Sequence, residues 1–270
     1  MARMRSSSGD PVRTLALLWR DPAAVPRRGP TRRLDIDAVV ASAIRLADEH
    51  GLDAVTMRAV ATAANTAPMT LYTYVPGKAE LLDLMLDTIY AAMPRTHITG
   101  RVWRRRATVV ANENLALHIA HPWTLDISTL RPTLGPGAIG KYEQELAAFD
   151  GLGLTDVQID DCLTYLLNFV RATVRTSMEA ATNLRESRLD DTAWWATVGP
   201  QLARYLDPAG YPLASRVGTA AGAAHGSAHE PRHAYQFGLA RTLDGLATLI
   251  DGKAQAQGKL VQRRGSGARN

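Results

Sequence analysis

Residues 68–74 combine hydroxyl, aromatic and apolar side chains within a segment short enough to present them together. The segment reads PMTLYTY, and its hydroxyl-bearing residues are Thr70, Tyr72, Thr73 and Tyr74. Hydroxyls of threonine and tyrosine are among the groups that hydrogen-bond the phosphates and sugars of DNA. Leu71 and Val75 are the residues expected to point inward. An alternative is that the aromatic rings belong to a core, but a run of this kind on a two-turn helix is hard to bury on every side.

A helical repeat precedes this segment and predicts what holds it. Apolar residues recur at spacings of three and four from Leu34 to His50, and Gly51 is suited to end that helix. A second, short helix is expected after Thr56, whose hydroxyl can cap its first turn. Asn65 then fits the left-handed conformation that a tight turn requires.

The third and fourth helices complete a recognisable arrangement. Pro68 suits the first position of a helix over Pro68–Tyr74, which is too short to be stable without neighbours. Lys78 opens a longer helix that ends near Ala92. Two short helices joined by a tight turn form a helix-turn-helix, and the major groove, about 12 Å wide, admits one helix. The sequence therefore predicts a DNA-binding domain at residues 34–92.

Both ends of the chain are basic, whereas its middle is acidic. Residues 1–33 hold eight arginines against two aspartates, and residues 253–270 hold five basic residues and no acid, in a chain of net charge +5. We expect a mostly disordered arm at 1–33, in which Leu15–Trp19 packs onto the body, and a disordered tail at 253–270. Basic arms neutralise DNA phosphates, but solvated tails have the same composition. The arginines nearest the first helix can enter an adjacent minor groove, with a solvated tail as the alternative; they are Arg27, Arg28, Arg32 and Arg33.

Helical patterns also fill most of the remaining sequence. We expect helices near 101–119, 138–151, 156–181, 189–206 and 232–251, with a loop of small residues from Gly210 to Pro231. Alternating strand patterns are lacking, so the predicted fold class is all-α, with the helix-turn-helix domain joined by a long helix to a larger helical domain at 93–252. No apolar run reaches the roughly 18 residues of a membrane helix. The chain has a single cysteine, Cys162, so an intrachain disulfide is excluded. We expect a cytoplasmic protein.

The sequence lacks the residue patterns of several kinds of catalytic and metal-binding site. The sequence has no glycine-rich phosphate loop, no nucleophile elbow and no paired metal motif, so we expect no enzyme and no cofactor. His118 and His121 stand three residues apart with no carboxylate spaced to join them. His225, His229 and His233 have helical spacing, but Gly226 and Pro231 argue against a continuous helix. We therefore predict no metal site.

The run from Ile44 to Met85 resembles the tetracycline-repressor (TetR) family. Its part GLDAVTMRAVATAANTAPMTLYTYVPGKAELLDLM looks like that family's signature, and HPW at 121–123, GPGAIGKYE at 135–143 and FGLARTLDGL at 237–246 look like its tetracycline-repressor type of C-terminal domain. This resemblance implies DNA-binding roles. Arg58 would read guanine through its planar fork, with a salt bridge to a nearby acid as the alternative. The other implied contacts to phosphates, sugars or bases are Thr56, Pro68, Met69, Thr70, Tyr72, Thr73, Tyr74 and Lys78.

The resemblance also implies an effector. In this family the second domain holds a small molecule, and the fourth helix carries the change to the DNA-binding heads. Trp123, Tyr165 and Phe169 are the expected ligand-binding residues, with core or dimer contacts as the alternative. The family's namesake binds its drug through magnesium, but the matching positions here are Ile127 and Thr176, which are poor ligands. We therefore do not expect tetracycline binding.

A second copy of the chain is the expected protein partner. The helices at 156–181 and 232–251 carry dense apolar sides, and two from each subunit would form a four-helix interface. The predicted function is a homodimeric transcriptional repressor that a small molecule releases from a palindromic DNA operator. The alternatives are an activator, a regulator without a ligand, or an all-α enzyme.

Overall fold

The computed structural model describes residues 4–5, 10–21, 35–100, 102–128, 131–187, 191–225 and 230–267. Its helices are α1 (Pro11–Leu18), α2 (Ile36–His50), α3 (Met57–Ala63), α4 (Pro68–Tyr74), α5 (Lys78–Ala92), α6 (Trp103–Ala120), α7 (Pro136–Leu146), α8 (Asp156–Ser187), α9 (Asp191–Tyr205), α10 (Pro212–His225) and α11 (Pro231–Gly267). Short 3₁₀ turns lie at Leu52–Ala54 and Pro122–Leu125. The all-α prediction is confirmed; two-residue strands, β1 (Met4–Arg5) and β2 (Ile127–Ser128), form one small parallel pair.

The chain divides into two compact units, which are Met1–Leu167 with Ile250–Asn270, and Asn168–Leu249. The predicted boundary between residues 92 and 93 falls inside the first unit, because α5 packs along α7. The predicted domain limits, 34–92 and 93–252, stay a prediction.

The core of the first unit lies where α2, α3 and α5 meet. Val39 and Val40 of α2 are fully buried there, as are Leu71 of α4 and Met85 of α5. Asp35 caps α2 by accepting the amide of Asp37 at 2.9 Å. This small helical core fixes the positions of α3 and α4.

Helix α1 lies within the predicted arm. Asp10 caps it by accepting the amide of Val12 at 3.0 Å, and Leu17 and Leu18 are buried in the core of the first unit. The expectation that Leu15–Trp19 packs onto the body is therefore met, and the helix that contains most of this stretch begins at Pro11. Arg27, Arg28, Arg32 and Arg33 lie outside the described residues.

Two predictions in the C-terminal part need correction. The expected loop from Gly210 to Pro231 contains α10, because Pro212 suits a first helical position and the alanines that follow have the highest helix propensity. Helix α11 continues to Gly267, past residue 253 at which the predicted tail begins, in a segment rich in lysine, alanine and glutamine. His229 of the predicted histidine series and residues 268–270 lie outside the described residues.

The second unit is built from the larger, C-terminal part of α8, helices α9 and α10, and the first half of α11. Phe169 stacks on Tyr235 with ring centroids 5.9 Å apart, and Gly238 lies against the same phenyl ring. Burial raises the pKa of Tyr235 to about 12. Val170, Val174 and Leu243 are buried in this unit.

Candidate nucleic-acid interface

Helices α3 and α4 are held by local signals that the sequence displays. The Thr56 hydroxyl accepts the amide of Ala59 at 3.1 Å, which caps α3 as predicted. Asn65 adopts a φ of 51° in the turn, as predicted, and Pro68 begins α4. The predicted bounds of α4 and α5 are confirmed to the residue.

Helix α4 is attached to the core along one side only. Leu71 is its single buried residue, and Val75, just after the helix, is also fully buried. Met69 is 78% exposed and Tyr72 45% exposed. The other exposed residues of the helix are Pro68, Thr70 and Thr73. The helix therefore presents a mixed apolar and hydroxyl surface of the kind that contacts base methyls and phosphates.

Two of the predicted contact residues also have contacts inside the protein. Tyr74 is only half-exposed and packs against the core, so its ring is less available than that of Tyr72. The Thr73 hydroxyl donates to the carbonyl of Met69 at 3.0 Å, which leaves its oxygen as an acceptor. Tyr72 is the better placed of the two tyrosines to donate to a phosphate.

Arg58 lies on the exposed side of α3. Among the residues that the structure describes, no carboxylate forms an ion pair with it, so the salt-bridge alternative finds no support there. A guanidinium without an internal partner keeps its planar fork for an external acceptor such as the guanine edge.

Lys78 at the start of α5 is half-buried and already makes an internal bond. Its Nζ donates to the carbonyl of Leu52 at 3.1 Å. Burial lowers the pKa of Lys78, and the Asp53 carboxylate partly offsets that effect. Lys78 thus braces the 3₁₀ turn after α2, a role that the sequence did not indicate, and its predicted phosphate contact stays a prediction.

A cavity of about 490 Å³ lies between the end of α5 and the length of α6, and we refer to it as the α5–α6 cavity. Its walls are mostly apolar and include Ile89, Met93 and Leu117. The polar residues that line it are Thr96, Asn112, Glu113 and His121.

The three predicted ligand-binding residues do not meet at this cavity. Trp123 is 2% exposed and belongs to the core of the first unit, where its Nε1 donates to Asp48 at 2.7 Å. Tyr165 is 58% exposed, and Phe169 stacks on Tyr235 in the second unit. Trp123 therefore packs in the core, and the ligand-binding roles of all three residues stay predictions.

Sequence reasoning missed the polar residues around the cavity. Glu113 accepts the amide of Thr96 at 2.9 Å, and His121 Nδ1 bonds the Asp48 carboxylate at 2.8 Å. The contact between His121 and Asp48 has no local signal in the sequence, because 73 residues separate the two. The HPW triplet at residues 121–123 is a local signal, because its proline indicates that α6 ends next to His121.

The described part of the chain contains neither a candidate membrane-spanning helix nor a candidate cluster of metal ligands. None of the helices there combines the length and apolar character needed to cross a bilayer. Groups of three or more histidine, cysteine, aspartate or glutamate side chains that would hold a metal ion are likewise absent among the described residues.

Comparisons with known proteins match both parts of the chain. Residues 39–85 match the model of bacterial regulatory proteins, tetR family, and residues 98–250 match the tetracyclin repressor-like C-terminal domain. The HTH-type transcriptional repressor DrrR1 of Streptomyces coeruleorubidus is 36% identical over 97% of this chain and 92% of its own length.

Two further proteins are similar to a lesser degree. An HTH-type transcriptional regulator of Saccharopolyspora erythraea is 30% identical over 52% of this chain and 59% of its own length. The crystal structure of apo ActR from Streptomyces coelicolor superposes with a TM-score of 0.66 at 22% identity, covering 85% of this chain and 100% of that chain. This structural similarity bears on the fold alone.

Proposed function

The chain belongs to the tetR family of bacterial regulatory proteins, and on that basis we propose that it represses transcription by inserting α4 into the major groove of a DNA operator. The observation that carries the proposal is the exposure of α4, which buries only Leu71 and turns its tyrosine, threonine and methionine side chains outward. Its similarity to a named repressor extends over nearly the whole chain. Such a protein acts where the chromosome lies, in the cytoplasm, and needs no catalytic residue.

Contacts with the operator would involve both exposed and half-exposed residues of α3, α4 and α5. Tyr72 and Thr70 would contact phosphates, with Tyr74 along the sugar, while Pro68 and Met69 would touch thymine methyls. Arg58 would read a guanine from the N-terminal side of the turn, beside Thr56. Lys78 and Thr73 would add backbone contacts.

A homodimer would place two such helices on one DNA face. Helix α11 leaves Phe237 59% exposed and Leu249 36% exposed, and such apolar side chains are suited to pairing with a second copy. The two helix-turn-helix domains of such a dimer, related by a two-fold axis, would read palindromic half-sites about 34–36 Å apart.

The α5–α6 cavity is the proposed site of a releasing effector. Its volume of about 490 Å³ lies in the range of small-molecule sites, roughly 300–1,000 Å³. An ionised carboxylate only accepts hydrogen bonds, so His121 donates to Asp48 through Nδ1–H. In a neutral imidazole the other ring nitrogen, Nε2, is then a hydrogen-bond acceptor, and the Glu113 carboxylate is a second acceptor. The chemistry favours an apolar, ring-sized molecule that carries hydroxyl or amine donors.

Selection from a pool of random DNA duplexes tests the proposal, with affinities then measured by fluorescence anisotropy. We expect a palindromic motif, and we expect Tyr72→Ala to weaken binding by about tenfold. Tyr205→Ala is the matched control, because Tyr205 is 85% exposed and lies on α9. If no sequence is enriched from the pool, the DNA-binding role is contradicted. If both variants lose the same affinity for DNA, the placement of the interface on α4 is contradicted.

A reporter gene placed behind the selected site separates repression from activation. Expression that rises when the protein is removed supports a repressor. Expression that falls would instead identify an activator, the main alternative function.

A further inference from the structure

Asp48 joins the helix-turn-helix core to the segment that ends α6. This residue lies two positions before the end of α2, and its Oδ1 accepts two hydrogen bonds from beyond the helix-turn-helix. One comes from His121 Nδ1 at 2.8 Å and the other from Trp123 Nε1 at 2.7 Å. We call this three-residue contact the Asp48 junction.

The junction is partly shielded from water. The His121 and Asp48 side chains are 25% and 30% exposed, and Trp123 is 2% exposed. The two rings meet edge to face, with centroids 6.0 Å apart. Hydrogen bonds to an ionised carboxylate are roughly twice as strong as neutral ones, so this contact is a firm attachment point for α2.

His121 is held from behind as well. Its carbonyl accepts the Thr124 hydroxyl at 2.8 Å, and that hydroxyl also bonds the buried His118 ring at 2.8 Å. The backbone of His121 therefore has little freedom, and displacement of its ring is expected to act on Asp48 rather than on the backbone behind it.

His121 also lines the α5–α6 cavity, together with Leu117, Ala116 and Glu113. One side chain thus faces the proposed effector space and bonds a helix of the DNA-binding head. Helix α2 in turn packs against α3 and α5, so a shift of its C-terminal end changes the support of the helix-turn-helix.

We propose that the His121–Asp48 contact transmits occupancy of the α5–α6 cavity to α2, an inference that rests on the proposed repressor function. An occupant that hydrogen-bonds or displaces the His121 ring weakens its bond to Asp48 and loosens the end of α2. Such coupling requires that the occupied cavity and DNA prefer different positions of one element, and the Asp48 junction is that element. The competing route runs through α5 alone.

A tethered probe tests this inference without a known effector. Ala116 is exposed and lines the cavity, so Ala116→Cys offers a site for monobromobimane, a small uncharged aromatic reagent. The native Cys162 is 2% exposed, and burial raises the pKa of its thiol, so it competes poorly for the reagent. The measured quantity is the ratio of DNA dissociation constants with and without the bimane.

We expect the bimane to weaken DNA binding by about tenfold when the junction is intact. In the Asp48→Ala background the ratio should fall to about twofold or less, and Asp48→Asn, which keeps an acceptor oxygen, should retain most of the effect. Asp126→Ala is the matched control, because Asp126 is an exposed acid just beyond Trp123, and it should leave the ratio unchanged.

The outcomes separate this inference from the proposed function. If the ratio of dissociation constants is the same with Asp48 and with Asp48→Ala, the Asp48 junction does not transmit the signal. The cavity would then be an effector site that acts through α5. A bimane without effect in any background would remove the cavity from regulation and the inference with it, while unlabelled DNA binding reports the repressor function separately. If Asp48→Ala unfolds, His121→Phe keeps a ring and the Trp123 bond, and it must abolish the coupling as well.

Discussion

Helices α4 and α5 follow one another in the chain but are built in opposite ways. Helix α4 buries one residue, Leu71, whereas α5 buries nine, three of which are acids. The exposed side chains of α4, such as Met69 and Tyr72, can change without disturbing the fold, as a surface that reads DNA requires. Changes on α5 are more disruptive, because nine of its 15 residues are buried.

The buried acids of α5 explain why that helix is tied to the rest of its unit. Asp87 Oδ1 accepts the amide of Ala138 at 2.8 Å, in the first turn of α7. Helix α7 has a glycine, Gly135, at its N-cap, so a carboxylate from α5 does the work that a capping side chain would do. Asp83 also accepts the Thr133 hydroxyl at 3.2 Å, in the loop before α7.

The largest expected effect is on the anchor of α4. Leu71→Ala removes the single buried side chain of that helix and leaves a cavity in the core, which costs about 3 kcal/mol of unfolding free energy. Met69→Ala, on the same helix at 78% exposure, should change stability by less than about 0.5 kcal/mol. Chemical denaturation of both variants provides the measurement. Similar stabilities for the two would mean that α4 is not anchored through Leu71.

The next effect concerns the contact between α5 and α7. A Cβ at Gly137 would lie 2.0 Å from the carbonyl oxygen of Asp87 and 2.8 Å from the amide nitrogen of Ala91, both in the α5 backbone. Gly137→Ala should therefore force the helices apart and cost about 2 kcal/mol in denaturation experiments.

Gly140→Ala is the matched control for this substitution on α7. The nearest atom to its added Cβ is the Arg95 guanidinium at 2.8 Å, which is the mobile end of a long side chain. We expect little loss of stability. Equal losses for both glycines would indicate that α7 is sensitive to alanine in general rather than to its approach to α5.

The same contrast separates what the sequence predicts from what it does not. The bounds of α4 could be read from Pro68 at its start and from the Val75-Pro76-Gly77 break after it, since these are local signals. The N-cap at Thr56 and the left-handed Asn65 were predictable for the same reason.

Contacts between distant segments left no such signal. Asp48 and Trp123 are 75 residues apart, and nothing in the sequence near either residue indicates the hydrogen bond between them. The cavity itself depends on how α5 and α6 pack, which no periodicity encodes. Helix α10 was missed for a different reason, because its glycines and small residues favoured a loop.

Arg58 on α3 should contribute to DNA binding and not to stability. Arg58→Ala is expected to weaken binding to the selected operator by about tenfold and to relax the preference for guanine at one position. Arg105→Ala is a control of the same type, because Arg105 is exposed at the start of α6. A uniform loss across all sequences would instead place Arg58 on a phosphate.

Lys78 stands where the two helices meet, at the first position of α5, and it has the smallest expected effect. Burial lowers the pKa of Lys78 relative to the unfolded chain, so the unfolded state holds this proton more tightly. Stability should therefore rise as the pH passes from the lowered pKa towards 10.5, the ordinary value of the group. Lys78→Met should lose that rise in denaturation measured at alkaline pH.

Salt dependence decides whether the same lysine also belongs to the DNA surface. If its ammonium leaves the Leu52 carbonyl to meet a phosphate, Lys78→Met should reduce the slope of log affinity against log salt by about one ion, whereas Lys78→Arg should keep it. If the bond to Leu52 persists on DNA, the slope stays the same and only stability changes. The first result would show that α5 contributes to DNA binding through its first residue, and the second would assign Lys78 entirely to the stability of the helix-turn-helix domain.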